Sequence, residues 1–170
     1  MENLSLILHV FAGALIVGPQ FLLFFAVVPS TWLIEEEQLK RAVTRVVTKR
    51  YGVIAGIAIL ISLLTGLYQF YSVTPDSVSA DINAYRFGSI FMIKMTLFVA
   101  FIALAVFHAI TGKRIGKLAD AVASGDGDAS ELEHQRRRSL LLSVPMMLVA
   151  SALLALGVLL GRGEYSYVPI

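Results

Sequence analysis

Residues 88–110 read GSIFMIKMTLFVAFIALAVFHAI, a run with one charged side chain, Lys94, and one further titratable group, His108. At about 1.5 Å per residue, a helix of this length covers the roughly 30 Å hydrocarbon core of a bilayer. Three more runs have the same character: 4–28, 52–71 and 139–161. Each is close to the roughly 20 residues needed to cross a membrane. Together they take up more than half of the 170 residues and leave room only for short connections. The expected fold is all-α, an integral membrane four-helix bundle forming a single transmembrane domain over 1–170.

The bulk composition agrees. Hydrophobic residues make up 57% of the chain and charged residues 15%, with a mean hydropathy of +0.77. An ordinary soluble domain is roughly 45–50% apolar, so a soluble enzyme is excluded. A net charge of +2 and a pI near 9.0 raise the question of nucleic acid. The cations flank apolar spans, however, where they report topology and not a polyanionic partner. No cysteine is present, which excludes disulfides, iron–sulfur clusters and thiolate metal sites. The first span follows Glu2 and no basic cluster, and its apolar stretch is long for a signal peptide, so it is expected to stay in the mature protein.

Eleven of the fourteen Lys and Arg residues lie in two connections. Lys40, Arg41, Arg45, Lys49 and Arg50 follow span one; Lys113, Arg114, Lys117 and Arg136–Arg138 follow span three. The positive-inside rule puts these connections in the cytoplasm and both termini outside. Tyr68, Tyr71, Tyr85, Tyr165 and Tyr167 then gather at the outer interface, with Trp32 and Tyr51 at the inner one. Between spans one and two, Glu36/Lys40 and Glu37/Arg41 stand four apart, and Leu39, Ala42, Val43, Val46 and Val47 repeat at helical spacing. This reads as an amphipathic helical segment that lies on the inner surface or extends span two. The SGDGD stretch at 124–128 has two aspartates of a calcium loop, but Glu131 and Glu133 miss the twelve-residue spacing.

A titratable group within a span is costly, so each needs an account. His9 lies about 7 Å inside the outer end of span one, and Lys94 about 9 Å inside the outer end of span three. His108 is fourteen residues beyond Lys94, close to four turns, and therefore on the same face. Gln20 is eleven residues from His9, about three turns, with Gly13 between them. A polar seam runs down each helix. If the seams face one another, His9 meets Lys94 near the outer side, Phe98 and Phe101 wall the space below, and Gln20 and His108 stand nearer the inner side as an incomplete second site. Simpler roles stand beside this. Lys94 is shallow enough to snorkel to the headgroups, His9 could bond a neighbouring helix, and His108 reads best as an interfacial histidine. Gly52 and Gly56 form a small-xxx-small packing pair, and Pro145 is expected to kink span four.

Three stretches carry a resemblance to a known family: LHVFAGALIVG at 8–18, KRYGVIAGIAILISLLTGLY at 49–68 and FGSIFMIKMTLFVAFIALAVFH at 87–108. In order and spacing they resemble the CopD-like and HemJ-like four-helix integral membrane proteins, over nearly the whole chain. In the HemJ-type protoporphyrinogen oxidases the early His and the Lys of the third span are haem b ligands or essential. The resemblance therefore implies these roles for His9 and Lys94, together with electron transfer in the inner (plasma) membrane. The chain differs in having no Trp or Arg in span one and LSVP at 142–145 where the HemJ type opens its last span with Asn-Glu-x-Pro.

Three functions follow as expectations. The first is a b-type haem protein with His9 as one axial ligand and Lys94, Met95 or Met92 as the other, passing electrons between a quinol or porphyrinogen and another carrier. Lys94 could instead stay charged and pair with a propionate. The second is a copper-handling membrane protein using His9 with Met92 or Met95. The third is a non-catalytic accessory subunit of a larger membrane complex. The expected partners are the lipid bilayer and a membrane redox complex or a second copy of the chain; nucleic acid is not among them.

Overall fold

A computed structural model describes the backbone of all 170 residues and every side chain except that of Glu37. The expected Glu37/Arg41 pair thus lies outside the described residues. The fold is all-α. Four helices are long and apolar enough to cross a membrane: α1 (Glu2–Thr31), α2 (Glu37–Ser72), α3 (Arg86–Ser124) and α4 (Ala129–Gly161). Large apolar side chains stay exposed along them, among them Phe25 at 64%, Val99 at 66%, Leu148 at 62% and Val158 at 60%. Water would not tolerate such a surface; the apolar tails of a bilayer do.

The helices extend beyond the apolar runs. Residues 37–51 form one unbroken helix with the second span, and α3 continues through Lys113, Arg114 and Lys117 to Ser124. Nothing in these charged stretches interrupts the i to i−4 hydrogen bonding, because they contain no proline. Pro145 lies inside α4 without ending it. In α1, Pro19 removes one backbone donor, and the helix widens four residues later into a π turn at Leu23–Val27. Such turns follow disturbed ladders and are frequent near functional positions.

The chain divides into two compact units, 1–92 with 154–170, and 93–153. In the first, α1 and α2 run antiparallel: Ser5 and His9 bond to Thr65, while Ile16 accepts from Tyr51. Ala12, Ile16 and Ala58 are buried, small or slender residues that let the helices approach closely. Gly13 lies 3.6 Å, at its Cβ position, from a methyl of Leu154. At the end of this unit that holds Ser5 and His9, Ser72 leads into a short helix at Asp76–Ala80 and a 3₁₀ turn at Ile82–Ala84. A Cβ on Gly88 would collide with the Ile82 carbonyl oxygen, so only glycine lets the connection fold back here. The C-terminal tail then pairs with it. Arg86 N–H donates to Val168 O and Ile170 N–H to Ala84 O, both at 3.0 Å. Ser166, fully buried, donates its hydroxyl to the Leu160 and Arg162 carbonyls. Phe70, Phe87 and Phe91 stack beneath, and Tyr167 packs on Phe87.

The second unit is a helical hairpin. Gly125, at φ +87°, ends α3, with Gly125 N–H donating to Val122 O and Asp126 N–H to Ala121 O. This paired pattern around a left-handed glycine is a Schellman stop. Asp128 Oδ1 then accepts from the Ser130 amide at 2.7 Å and opens α4. The DGD stretch thus works as a helix boundary. Phe101, Ala119, Leu132, Met146 and Ala150 are the buried residues of this unit.

Candidate functional site

His9 is half-buried on α1 and faces α2. Its Nδ1 lies 2.9 Å from Thr65 Oγ1, and Thr65 Oγ1 lies 2.6 Å from the Ile61 carbonyl oxygen. A carbonyl oxygen donates nothing, so the single threonine proton occupies the shorter contact. Thr65 therefore accepts from His9, which places the imidazole proton on Nδ1 and the lone pair on Nε2. A histidine presents this tautomer when it ligates a metal through Nε2 and is oriented from behind by an acceptor.

Gly66 supplies the space. A Cβ there would stand 3.2 Å from His9 Cε1, closer than ordinary carbon contacts, so the ring lies against bare backbone. Around it, Ser5 Oγ donates to Thr65 O and Gln69 Nε2 to Ser5 O, both at 3.4 Å. Ser5 and His9 are four residues apart on one helix; Ser62, Thr65 and Gln69 are spaced by three and four on the other. Each set falls on one helical face, and the faces meet as a polar clasp in an otherwise apolar pair. Sequence reasoning missed Thr65, Gly66 and Gln69. The signal was the Ser62/Thr65/Gln69 stripe, matching in depth the seam that contains His9.

Gln20 lies three turns along α1, one residue after Pro19 and just ahead of the π turn. Neither atom of its amide makes a hydrogen bond of full geometry, but the amide stands beside the Tyr51 hydroxyl and interacts with it, while that hydroxyl donates to Ile16 O at 3.3 Å.

Lys94, Met95 and His108 belong to the second unit. Lys94, Phe98, Phe101 and His108 form the less exposed face of α3, between the exposed Val99 and Val106. Nδ1 of His108 is buried with no partner. Met92 belongs to the first unit and is 56% exposed. Among the described residues, no three His, Cys, Asp or Glu side chains converge to hold a metal ion. Comparison with protein-family models, curated proteins and solved structures gave no match.

Proposed function

We propose that this chain is a membrane b-type haem protein that passes electrons between a quinol or porphyrinogen donor and another carrier, with His9 as an axial ligand. The observation that carries the reading is the His9–Thr65 bond, which orients the imidazole of a costly titratable residue inside an apolar span. The donor set suits a haem better than a bare ion. A zinc site takes most of its ligands from His, Cys, Asp and Glu, and among the described residues no three of these converge. A haem asks for only one or two axial donors, since the porphyrin supplies the rest.

When bound, that group supplies one-electron chemistry at a potential set by its axial ligands and surroundings. The chain's residues do the remainder. His9 supplies the imidazole, Thr65 holds it through Nδ1, and Gly66 lets the ring lie close to α2. Lys94 is the proposed second ligand, as a neutral amine, or the partner of a propionate as a cation; Met95 is the alternative donor. Gln20, beside Tyr51, and His108, whose Nδ1 is buried without a partner, are proposed as further polar contacts. The charge distribution supports basic connections in the cytoplasm and both termini outside.

The test is a dithionite-reduced minus oxidised visible spectrum of detergent-purified protein, with a pyridine haemochrome assay for stoichiometry, beside His9→Ala and Lys94→Ala. The expected result is a b-type α band that collapses in the His9 variant. A flat spectrum from cells supplied with haem would overturn the reading.

A further inference from the structure

The second unit holds a groove that the haem reading does not use. It has a volume of about 460 Å³ and lies between α3 and α4 next to the turn that joins them. On α3 its lining residues are Phe107, Thr111, Arg114 and Leu118, spaced by four, three and four, so a single helical face supplies them. On α4 the positions are Glu131, Gln135, Arg138 and Leu142, with the same spacing. In an antiparallel hairpin, Phe107 thus stands across from Leu142, and Leu118 from Glu131. The groove is apolar at its Phe107/Leu142 end and cationic in the middle, where Arg114 and Arg138 sit about one turn apart along its length.

The two ends lie at different depths. Phe107 and Leu142 belong to the apolar runs 88–110 and 139–161, whereas Arg114 and Arg138 lie just beyond them. The change from apolar to cationic lining therefore falls where hydrocarbon gives way to headgroups. Both arginines are exposed. The groove's one acid, Glu131, accepts from Gln135 Nε2 at 2.7 Å, and among the described residues the ion pair formed by the nearby helix surface is Arg136 with Glu133. Two guanidinium forks remain facing a shared cleft whose floor is apolar, an arrangement that matches a phosphate with an acyl chain attached.

We infer that the α3–α4 groove is a binding site for an anionic phospholipid, its phosphate held by Arg114 and Arg138 and an acyl chain lying along Phe107 and Leu142. A lipid bound there would tie the two helices together at the membrane surface.

Native mass spectrometry of the full-length protein, released from detergent after incubation with phosphatidylglycerol or phosphatidylcholine, tests this. Wild type is expected to retain one phosphatidylglycerol at least about tenfold more than phosphatidylcholine, and the Arg114→Gln/Arg138→Gln pair to lose that retention by about tenfold or more. Lys113→Gln/Lys117→Gln removes the same charge from outside the groove and should change retention by less than about twofold. Equal retention of the two lipids by wild type overturns the inference without any variant. So does an equal loss in the lysine control, which would mean general charge attraction. Displacement of the lipid by millimolar inorganic phosphate alone would also overturn it, because the site would then be one for a free anion.

Discussion

Thr65→Val isolates the contact on which the proposed site depends. Valine keeps the branched shape of threonine and puts a methyl where the hydroxyl stood. The Nδ1 to Oγ1 separation is 2.9 Å, whereas a carbon needs about 3.5 Å or more. The imidazole must therefore retreat by about 0.6 Å, and its Nδ1–H loses its acceptor. Leaving a buried donor unpaired costs about 1–3 kcal/mol. That corresponds to about 5- to 150-fold in any equilibrium that needs the ring in place. Removal of the partner that orients a ligating histidine costs about 10–100-fold in metal affinity, which falls in the same range. The rest of the clasp is retained, since Ser5 and Gln69 bond main-chain carbonyls. Titration of haem into haem-depleted protein in detergent, followed at the Soret band, should show a loss of about 10–100-fold for Thr65→Val and near wild-type affinity for Thr65→Ser. Wild-type affinity in the valine variant would refute the tautomer argument. A wild-type protein that takes up no haem would refute the function itself.

Other consequences follow from single contacts. Gly88→Ala drives a methyl into the Ile82 carbonyl oxygen; because backbone must move, it should cost about 3 kcal/mol, the upper end for overpacking, and lower the thermal midpoint in detergent, whereas an unchanged midpoint would show that the connection is free to open. The Ser130 hydroxyl, then its amide, draws the Asp128 carboxyl below its ordinary value of 3.8. Its contribution to the start of α4 is therefore present above the ordinary carboxylate range and disappears as pH falls through the lowered value. Amide exchange at residues 130–132 should rise on acidification in wild type and lose that dependence in Asp128→Asn, which keeps the cap without the charge.

Hydropathy marked all four long helices because lipid contact is what it measures. It missed their full length. Helix formation requires only an uninterrupted hydrogen-bond ladder, and residues 37–51, 111–124 and 129–138 continue it through sequence too polar to register as membrane. Where α3 stops was encoded in Gly125 and where α4 starts in Asp128, both visible as turn and cap residues. His9 stood out as a costly group in an apolar run. Its partner did not, because a threonine in a span satisfies itself by bonding Ile61 O and draws no notice. Gly66 was equally inconspicuous: a missing side chain matters only when one knows which ring lies against it.

The pairing of Tyr85 with Pro169 fixes an order of events in biogenesis. These partners are separated by roughly 80 residues, a stretch that includes the whole second unit. During synthesis the His9–Thr65 clasp is available as soon as the first two helices are inserted. The strap across Ala84 and Arg86 has to wait until residues 168–170 have been made. Insertion of α3 and α4 brings the ends near one another beforehand, so closing that long loop costs far less entropy than it would for a free chain. The clasp thus needs only the first two helices, whereas the strap needs residues that follow the whole second unit.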